Sequence, residues 1–250
     1  MKMSGPMEMW LGTLGMIVFM GAWEILGFTG ILGGAFPALT AVVETVIDPV
    51  WRDLFLSAFG STAWSALQGF LLGISLAMLL ASATVLIPPL REGIYRFTAT
   101  MQSIPVISLG PVFIVTLGRE ITPIAVASIG AAFAMFVGTT SGLSAARVPH
   151  HDLLSVLGAT RMQRFIRLQL PAALPNIADG MKLAAPASLI GAIIGEWFGA
   201  PSGLGLIIVS ALLNYQINLL WGAALLATLL SLSAFGVLTI FQRSIERRFQ

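Results

Sequence analysis

The sequence contains no cysteine, which excludes disulfides and thiolate metal centres and leaves the redox compartment open. It contains no Gly-Lys pair. The phosphate-cradling loop Gly-x-x-x-x-Gly-Lys-Ser/Thr is therefore missing, and nucleotide hydrolysis would have to reside in another chain. Charge is scarce: 10% of the 250 residues are Asp, Glu, Lys or Arg, against about 25% in an ordinary soluble domain. No Lys/Arg cluster is interleaved with aromatics, which argues against a nucleic-acid partner. No His/Glu/Asp cluster has zinc-ligand spacing, and the adjacent His150 and His151 would point to different sides of a helix, as in a polar loop rather than a metal site.

What the chain has instead is apolar length. It is 57% hydrophobic, with a mean hydropathy of +0.92, so the solvent for most of it must be lipid. A membrane-crossing helix needs about 20 apolar residues. Charged residues divide the chain into six such runs: Met9–Leu32, Ser61–Ile87, Phe97–Leu117, Ile121–Leu143, Ile177–Phe198 and Leu219–Phe241. The expected fold is all-α, a polytopic membrane protein of six transmembrane helices forming one domain over residues 1–250. The first run is too long for a signal-peptide core and lacks a small-residue cleavage pattern, so it reads as a retained span. Phe36–Leu56 reads as a connection holding a short amphipathic helix, and Pro201–Asn218 as an uncharged segment at or dipping into the outer interface.

Lys/Arg placement sets the orientation. With the N-terminus inside, Lys2, Arg91, Arg96, Arg147, Arg161, Arg164, Arg167, Arg243, Arg247 and Arg248 are cytoplasmic, whereas only Arg52 and Arg119 are outside and Lys182 sits at a boundary. Both termini are then cytoplasmic, and so is the one long polar interruption, residues 147–175.

That interruption reads as two short helices around a corner. Asp152 is expected near the start of the first, where an acid favours the positive end of a helix. Gly158 ends it, Thr160 caps a second helix from Arg161 to about Leu168, and Leu170-Pro171 stops that one before the fifth span. Arg161, Arg164 and Arg167 recur every third residue and share one side, with Met162, Phe165 and Ile166 on much of the other. Leu153, Leu154 and Leu157 offer an apolar plug for a partner's groove. The Arg spacing fits an interfacial helix on anionic lipid equally well, and the residues alone leave both readings open.

The ordered residues of this segment resemble the cytoplasmic signature of ABC importer inner-membrane permeases: Glu-Ala-Ala, three residues, Gly, nine residues, Ile, one residue, Leu-Pro. Asp152-Leu153-Leu154 stands at the first position, Gly158 follows after three residues, and Leu168, Gln169 and Leu170-Pro171 follow after nine more. The likeness runs from about residue 36 to 249, with a permease core from about residue 55. It is closest to the branch importing nitrate, sulfonates, taurine, bicarbonate and thiamine-precursor pyrimidines. Gln102-Ser103-Ile104-Pro105-Val106-Ile107-Ser108-Leu109-Gly110-Pro111, Gly195-Glu196-Trp197-Phe198-Gly199 and Ser202-Gly203-Leu204-Gly205 support it. Asp152 for Glu, two leucines for alanines, and Leu168 for Ile depart from the pattern and favour a dedicated ATPase with a matching pocket.

The resemblance implies a type I importer permease in a bacterial inner membrane, moving a small solute by alternating access. It implies a second permease chain (a homodimer being the simplest case), an ABC ATPase dimer holding ATP and Mg, and an extracytoplasmic solute-binding protein. Asp152, Leu153, Leu154, Leu157, Gly158, Arg161, Arg164, Leu168, Leu170 and Pro171 would couple to the ATPase, and the chain itself would not be an enzyme. A stand-alone channel or secondary transporter is the alternative, although it should show ionisable pairs at midplane, and no convincing set is present.

Candidate pathway or gate residues are Pro105, Ser108 and Glu196. An acid in a membrane span is a functional candidate because burying it unpaired is costly, with a structural hydrogen-bonding role as the competing reading; for Glu24 the structural reading is preferred. Asp179 and Lys182 could pair on one helix face. Pro105, Pro111 and Pro186 mark bends. Gly69/Gly73 and Gly191/Gly195 have the Gly-x-x-x-Gly spacing of close helix packing, with a dimer contact as the second reading.

Overall fold

Asp48-Pro49 shows how local chemistry sets the helix boundaries. The Asp48 carboxylate accepts the Val50 N–H at 2.9 Å, and Pro49 occupies the first helical position, where its missing amide costs nothing. The helix that starts there runs to Leu86, so the second span is longer than Ser61–Ile87 and takes Arg52 and Asp53 into its first turns.

The computed structural model describes residues 6–146 and 148–249; Lys2 and Arg147, both used in the charge argument, lie outside them. The described elements are all helical: α1 (Pro6–Thr29), α2 (Leu39–Ile47), α3 (Pro49–Leu86), α4 (Pro88–Ser103), α5 (Val106–Thr116), α6 (Thr122–Leu143), α7 (Val148–Val156), α8 (Arg161–Arg164), α9 (Leu170–Glu196), α10 (Leu204–Leu213) and α11 (Ile217–Phe249). Trp10–Thr29, Pro49–Leu86, Thr122–Leu143, Arg161–Glu196 and Ile217–Ser244 are long and apolar enough to cross a membrane, and α4 with α5 forms a broken sixth candidate bent by 94°. This is a multi-pass helical membrane protein. The expected amphipathic helix in 36–56 is α2.

Three expectations are corrected. Phe97–Leu117 is not one straight span. Ile104 takes an extended conformation (φ −79°, ψ 123°), as a residue before proline tends to, and the chain turns there between α4 and α5. Leu170-Pro171 does not stop the second short helix. Phe165–Gln169 forms a π-helical turn in which the Leu170 N–H reaches back to the Phe165 carbonyl, and this widening admits Pro171 without a break. The fifth span is therefore one continuous helical run, Arg161–Glu196, with Pro171, Pro175 and Pro186 inside it. Finally, Pro201–Asn218 is not merely interfacial: α10 packs Leu204, Ile207 and Ala211 into a core with Phe55, Ala58, Leu219 and Ala223.

α6 is the axis of the bundle, and glycines let its neighbours approach it. A Cβ on Gly191 would come within 2.7 Å of the Ala127 Cα, and one on Gly195 within 2.6 Å of the Pro123 Cα. Gly69 and Gly73 face Ala127, Ser128 and Ala131 of the same helix. Both Gly-x-x-x-Gly pairs therefore pack inside this chain, bringing α3 and α9 onto α6.

At the end of the bundle near Thr29, aromatics tie α1 to the rest. Trp23 and Phe36 each lie within 6 Å of a neighbouring ring in a cluster with Trp221 (centroids 5.2 to 5.9 Å). The Trp23 indole donates to the Pro37 carbonyl and the Trp221 indole to the Ala35 carbonyl. Glu24 accepts both the Thr40 N–H and hydroxyl (3.0 and 2.7 Å), a structural role.

Gly138 tests the packing model most sharply, because a Cβ there would lie 2.7 Å from the Gly180 Cα and 2.8 Å from the Asn176 carbonyl. Gly138→Val is expected to destabilise the bundle by about 2 kcal/mol, read as a lower thermal-unfolding midpoint in detergent. Gly60→Val, where a Cβ meets nothing within 4 Å, is the control expected to leave the midpoint nearly unchanged.

Candidate functional site

The polar segment 148–171 is built as a rigid corner. α7 begins at Val148, so Asp152 stands in the middle of this helix and not near its start as the sequence led us to expect. The end of α7 follows the expected chemistry. Gly158 has φ +72°, its N–H donates to the Ser155 carbonyl at 3.0 Å, and the Ala159 N–H donates to the Leu154 carbonyl at 2.9 Å. This is a Schellman motif with glycine at its left-handed position.

The start of α8 is a reciprocal cap. The Gln163 N–H donates to the Thr160 hydroxyl at 3.3 Å, and the Thr160 N–H donates to the Gln163 side-chain oxygen at 2.8 Å. Arg164 closes the corner by donating from Nη1 to the Ser155 hydroxyl at 2.8 Å. Both helices are thus fixed relative to one another by backbone and side-chain bonds.

One side of this corner enters the bundle and the other faces out. Phe165 is buried among Ala81, Met135, Phe136, Leu143 and Ala173, and Leu168, Leu170 and Pro171 are half-buried at the root of α9. Leu153, Val156 and Leu157 are exposed by 58%, 86% and 70%, an unusual apolar display on a polar segment. Asp152 and Arg161 are exposed beside them, Leu154 and Arg164 half-buried. Phe165 was assigned only to the apolar side of α8 by its spacing; its role as the anchor depends on residues distant in the chain.

The pathway candidates separate. Pro105 and Ser108 are exposed at the break between α4 and α5, where the Ser108 hydroxyl donates to the Pro105 carbonyl at 2.7 Å. A cavity of about 230 Å³ lies between α3, α4 and α6, with Thr98 and Gln102 among apolar groups from Leu76, Phe97 and Phe133; Pro105 and Ser108 do not line it. Glu196 does not share this surface. It is 0% exposed and enclosed where α3, α9 and α10 meet. Its Oε2 accepts the Gly205 N–H at 2.8 Å and the Thr62 hydroxyl at 3.1 Å. The Thr62 oxygen in turn accepts the Leu204 N–H at 2.8 Å.

A second polar tie joins α9 to α11. Lys182 Nζ lies 3.4 Å from Asp179 Oδ1, donates to Gln242 Oε1 at 2.6 Å, and stands 5.8 Å from the Phe235 ring centroid. Gln242 Nε2 donates to the same Asp179 oxygen at 2.7 Å. The i,i+3 pair was legible from spacing, whereas Gln242, 60 residues from Lys182, and Thr62, 134 residues from Glu196, carried no local signal.

Comparison with known proteins agrees with this architecture. Residues 69–250 match the family model described as the binding-protein-dependent transport system inner membrane component. The formylaminopyrimidine transport permease protein ThiX of Halalkalibacterium halodurans is 30% identical over 229 residues, covering 90% of this chain and 88% of the relative. A Bacillus subtilis protein named for aliphatic sulfonate transport is 26% identical over 234 residues, covering 92% and 83%. Among solved structures, the inward-facing MetNI methionine ABC transporter has a chain of the same fold, with a TM-score of 0.68 at 18% identity, covering 80% of this chain and 99% of that one. Membership follows from the family match and the first relative: the chain belongs to the inner membrane components of binding-protein-dependent transport systems, and is the permease subunit of an ABC importer that works with an ABC ATPase.

Proposed function

We propose that the corner at 148–171 is the surface through which the ATPase drives this permease. The observation that carries the reading is the exposed Leu153, Val156 and Leu157 display on a corner fixed by Gly158, the Thr160–Gln163 cap and the Arg164–Ser155 bond, and rooted in the bundle by Phe165. A partner needs apolar surface to bind and a rigid body to push. Asp152, Arg161 and Arg164 add charge around the plug, and Leu168, Leu170 and Pro171 form its root. An interfacial helix on lipid would need neither the corner nor the anchor.

In this reading two copies of the chain pair, and an ATPase dimer binds ATP and Mg on the side holding Asp152. A solute-binding protein delivers substrate on the other side, and the membrane is a bacterial inner membrane with both termini in the cytoplasm. ATP shifts the equilibrium because it has different affinities for the open and closed ATPase dimer. The pathway runs past the α4–α5 break at Pro105 and Ser108, since irregular backbone at membrane depth is tolerated where it is buried or lines a cavity. The similarity to permeases named for formylaminopyrimidine and aliphatic sulfonate transport supports a small anion or a pyrimidine vitamin precursor as substrate.

Purification of the tagged chain in mild detergent is expected to bring down an ABC ATPase in stoichiometric amount, and replacement of Asp152–Leu157 by a Gly/Ser linker should abolish it. Recovery of the chain alone, still active in transport, would overturn the reading. Gly158→Pro forbids the positive φ and removes the N–H that bonds Ser155. It is expected to leave membrane insertion intact and to uncouple ATP hydrolysis from uptake in proteoliposomes. Thr160→Ala removes the side-chain cap and should weaken α8 by about 1 kcal/mol, seen as faster amide exchange at Gln163 and Arg164, with Thr160→Ser close to wild type.

A further inference from the structure

Gly203, at φ +145°, precedes the first residue of α10, and its missing side chain leaves the helix's first-turn amides without a local cap. The cap comes from two other helices. Thr62 of α3 accepts the Leu204 N–H and Glu196 of α9 accepts the Gly205 N–H, while the Thr62 hydroxyl donates to the same carboxylate oxygen. Ser61 adds a bond to the Ser202 carbonyl at 3.2 Å. Glu196, Thr62 and Leu204 are all fully buried. The partial positive charge of a helix N-terminus is what this carboxylate faces in a lipid-surrounded bundle.

The tie is also sterically closed. A Cβ on Gly203 would fall inside the Glu196 carboxyl, and one on Gly205 would lie 2.9 Å from its Oε2. α10 cannot slide along α9 without losing those amides and stranding a buried carboxylate, which is costly. Glu196 is the last residue of a continuous 36-residue helical run that starts at Arg161, about 54 Å away along the axis.

We propose that Glu196 is a positioning residue that joins α10 rigidly to α9, so that displacement at the Arg161 end of this rod is delivered to α10 and alters the exposure of its C-terminal end. The inference rests on the coupling role given above to the corner at 148–171. A purely static tie would hold the fold together equally well, and would leave α10 indifferent to nucleotide.

The chain has no cysteine, so a single thiol reports cleanly. Leu213→Cys sits at the C-terminal end of α10, 72% exposed, and Val156→Cys sits on α7. Each is placed in the permease–ATPase complex in lipid nanodiscs and labelled with a membrane-impermeant maleimide, without nucleotide and with ATP, Mg and vanadate. Labelling of Leu213→Cys is expected to change about fivefold on nucleotide trapping, the low end of ordinary coupling between sites. Glu196→Ala should abolish that change while the amount of trapped nucleotide stays the same. Thr62→Val should do likewise, and Thr62→Ser should restore it, which settles the matter if Glu196→Ala does not insert. A full fivefold change in Glu196→Ala, a Thr62→Ser no better than Thr62→Val, or no nucleotide response in the parent Leu213→Cys would overturn the proposal. Failure of the other reading is distinguishable, because Val156→Cys would then label equally fast with and without the ATPase bound.

Discussion

Backbone approach at α6 is the constraint on which the rest of this structure depends. In lipid, helices gain little by hiding apolar surface from one another, and association rests on van der Waals contact at short range. Gly69 and Gly73 of α3, with Gly191 and Gly195 of α9, bring both helices onto α6, and Gly138 meets Gly180. With those three helices fixed, the pocket for Phe165 is fixed, and so is the place where the polar corner leaves the bundle.

The same environment explains why the few polar side chains inside the bundle act in groups. Water cannot satisfy them, so most find partners within the chain, while among the described residues Glu196 Oε1 and Thr139 Oγ1 are buried without one. Asp179, Lys182 and Gln242 do so between α9 and α11. Glu196 and Thr62 do so between α9, α3 and the first turn of α10. Both groups use α9, which continues back through α8 to Arg161, where the Gly158 corner joins it to the α7 segment that carries the exposed leucines. One helical run therefore links that corner to the polar ties and the far tie to α10.

Proline has different consequences at its several positions because the local hydrogen bonding differs. Pro105 follows an extended residue and divides a span into α4 and α5. Pro171 follows a π-helical turn and divides nothing. Pro49 begins α3 beside the capping Asp48.

Much of the protein was determined by its sequence alone. The scarcity of charge and the length of the apolar runs required a helical membrane protein, and the spacing from Asp152 through Gly158 to Leu170-Pro171 located the corner, its glycine turn and its Thr160 cap, all of which depend on neighbours within a few residues. The tertiary structure decided what local patterns cannot encode: that α8 flows into α9, that α4 and α5 meet at a 94° bend, that Phe165 is the anchor, and that Glu196 is enclosed against Thr62 and the first turn of α10. Each of these turns on which distant residue supplies a hydrogen bond or fills a space, and in a bundle without water that choice belongs to the packing.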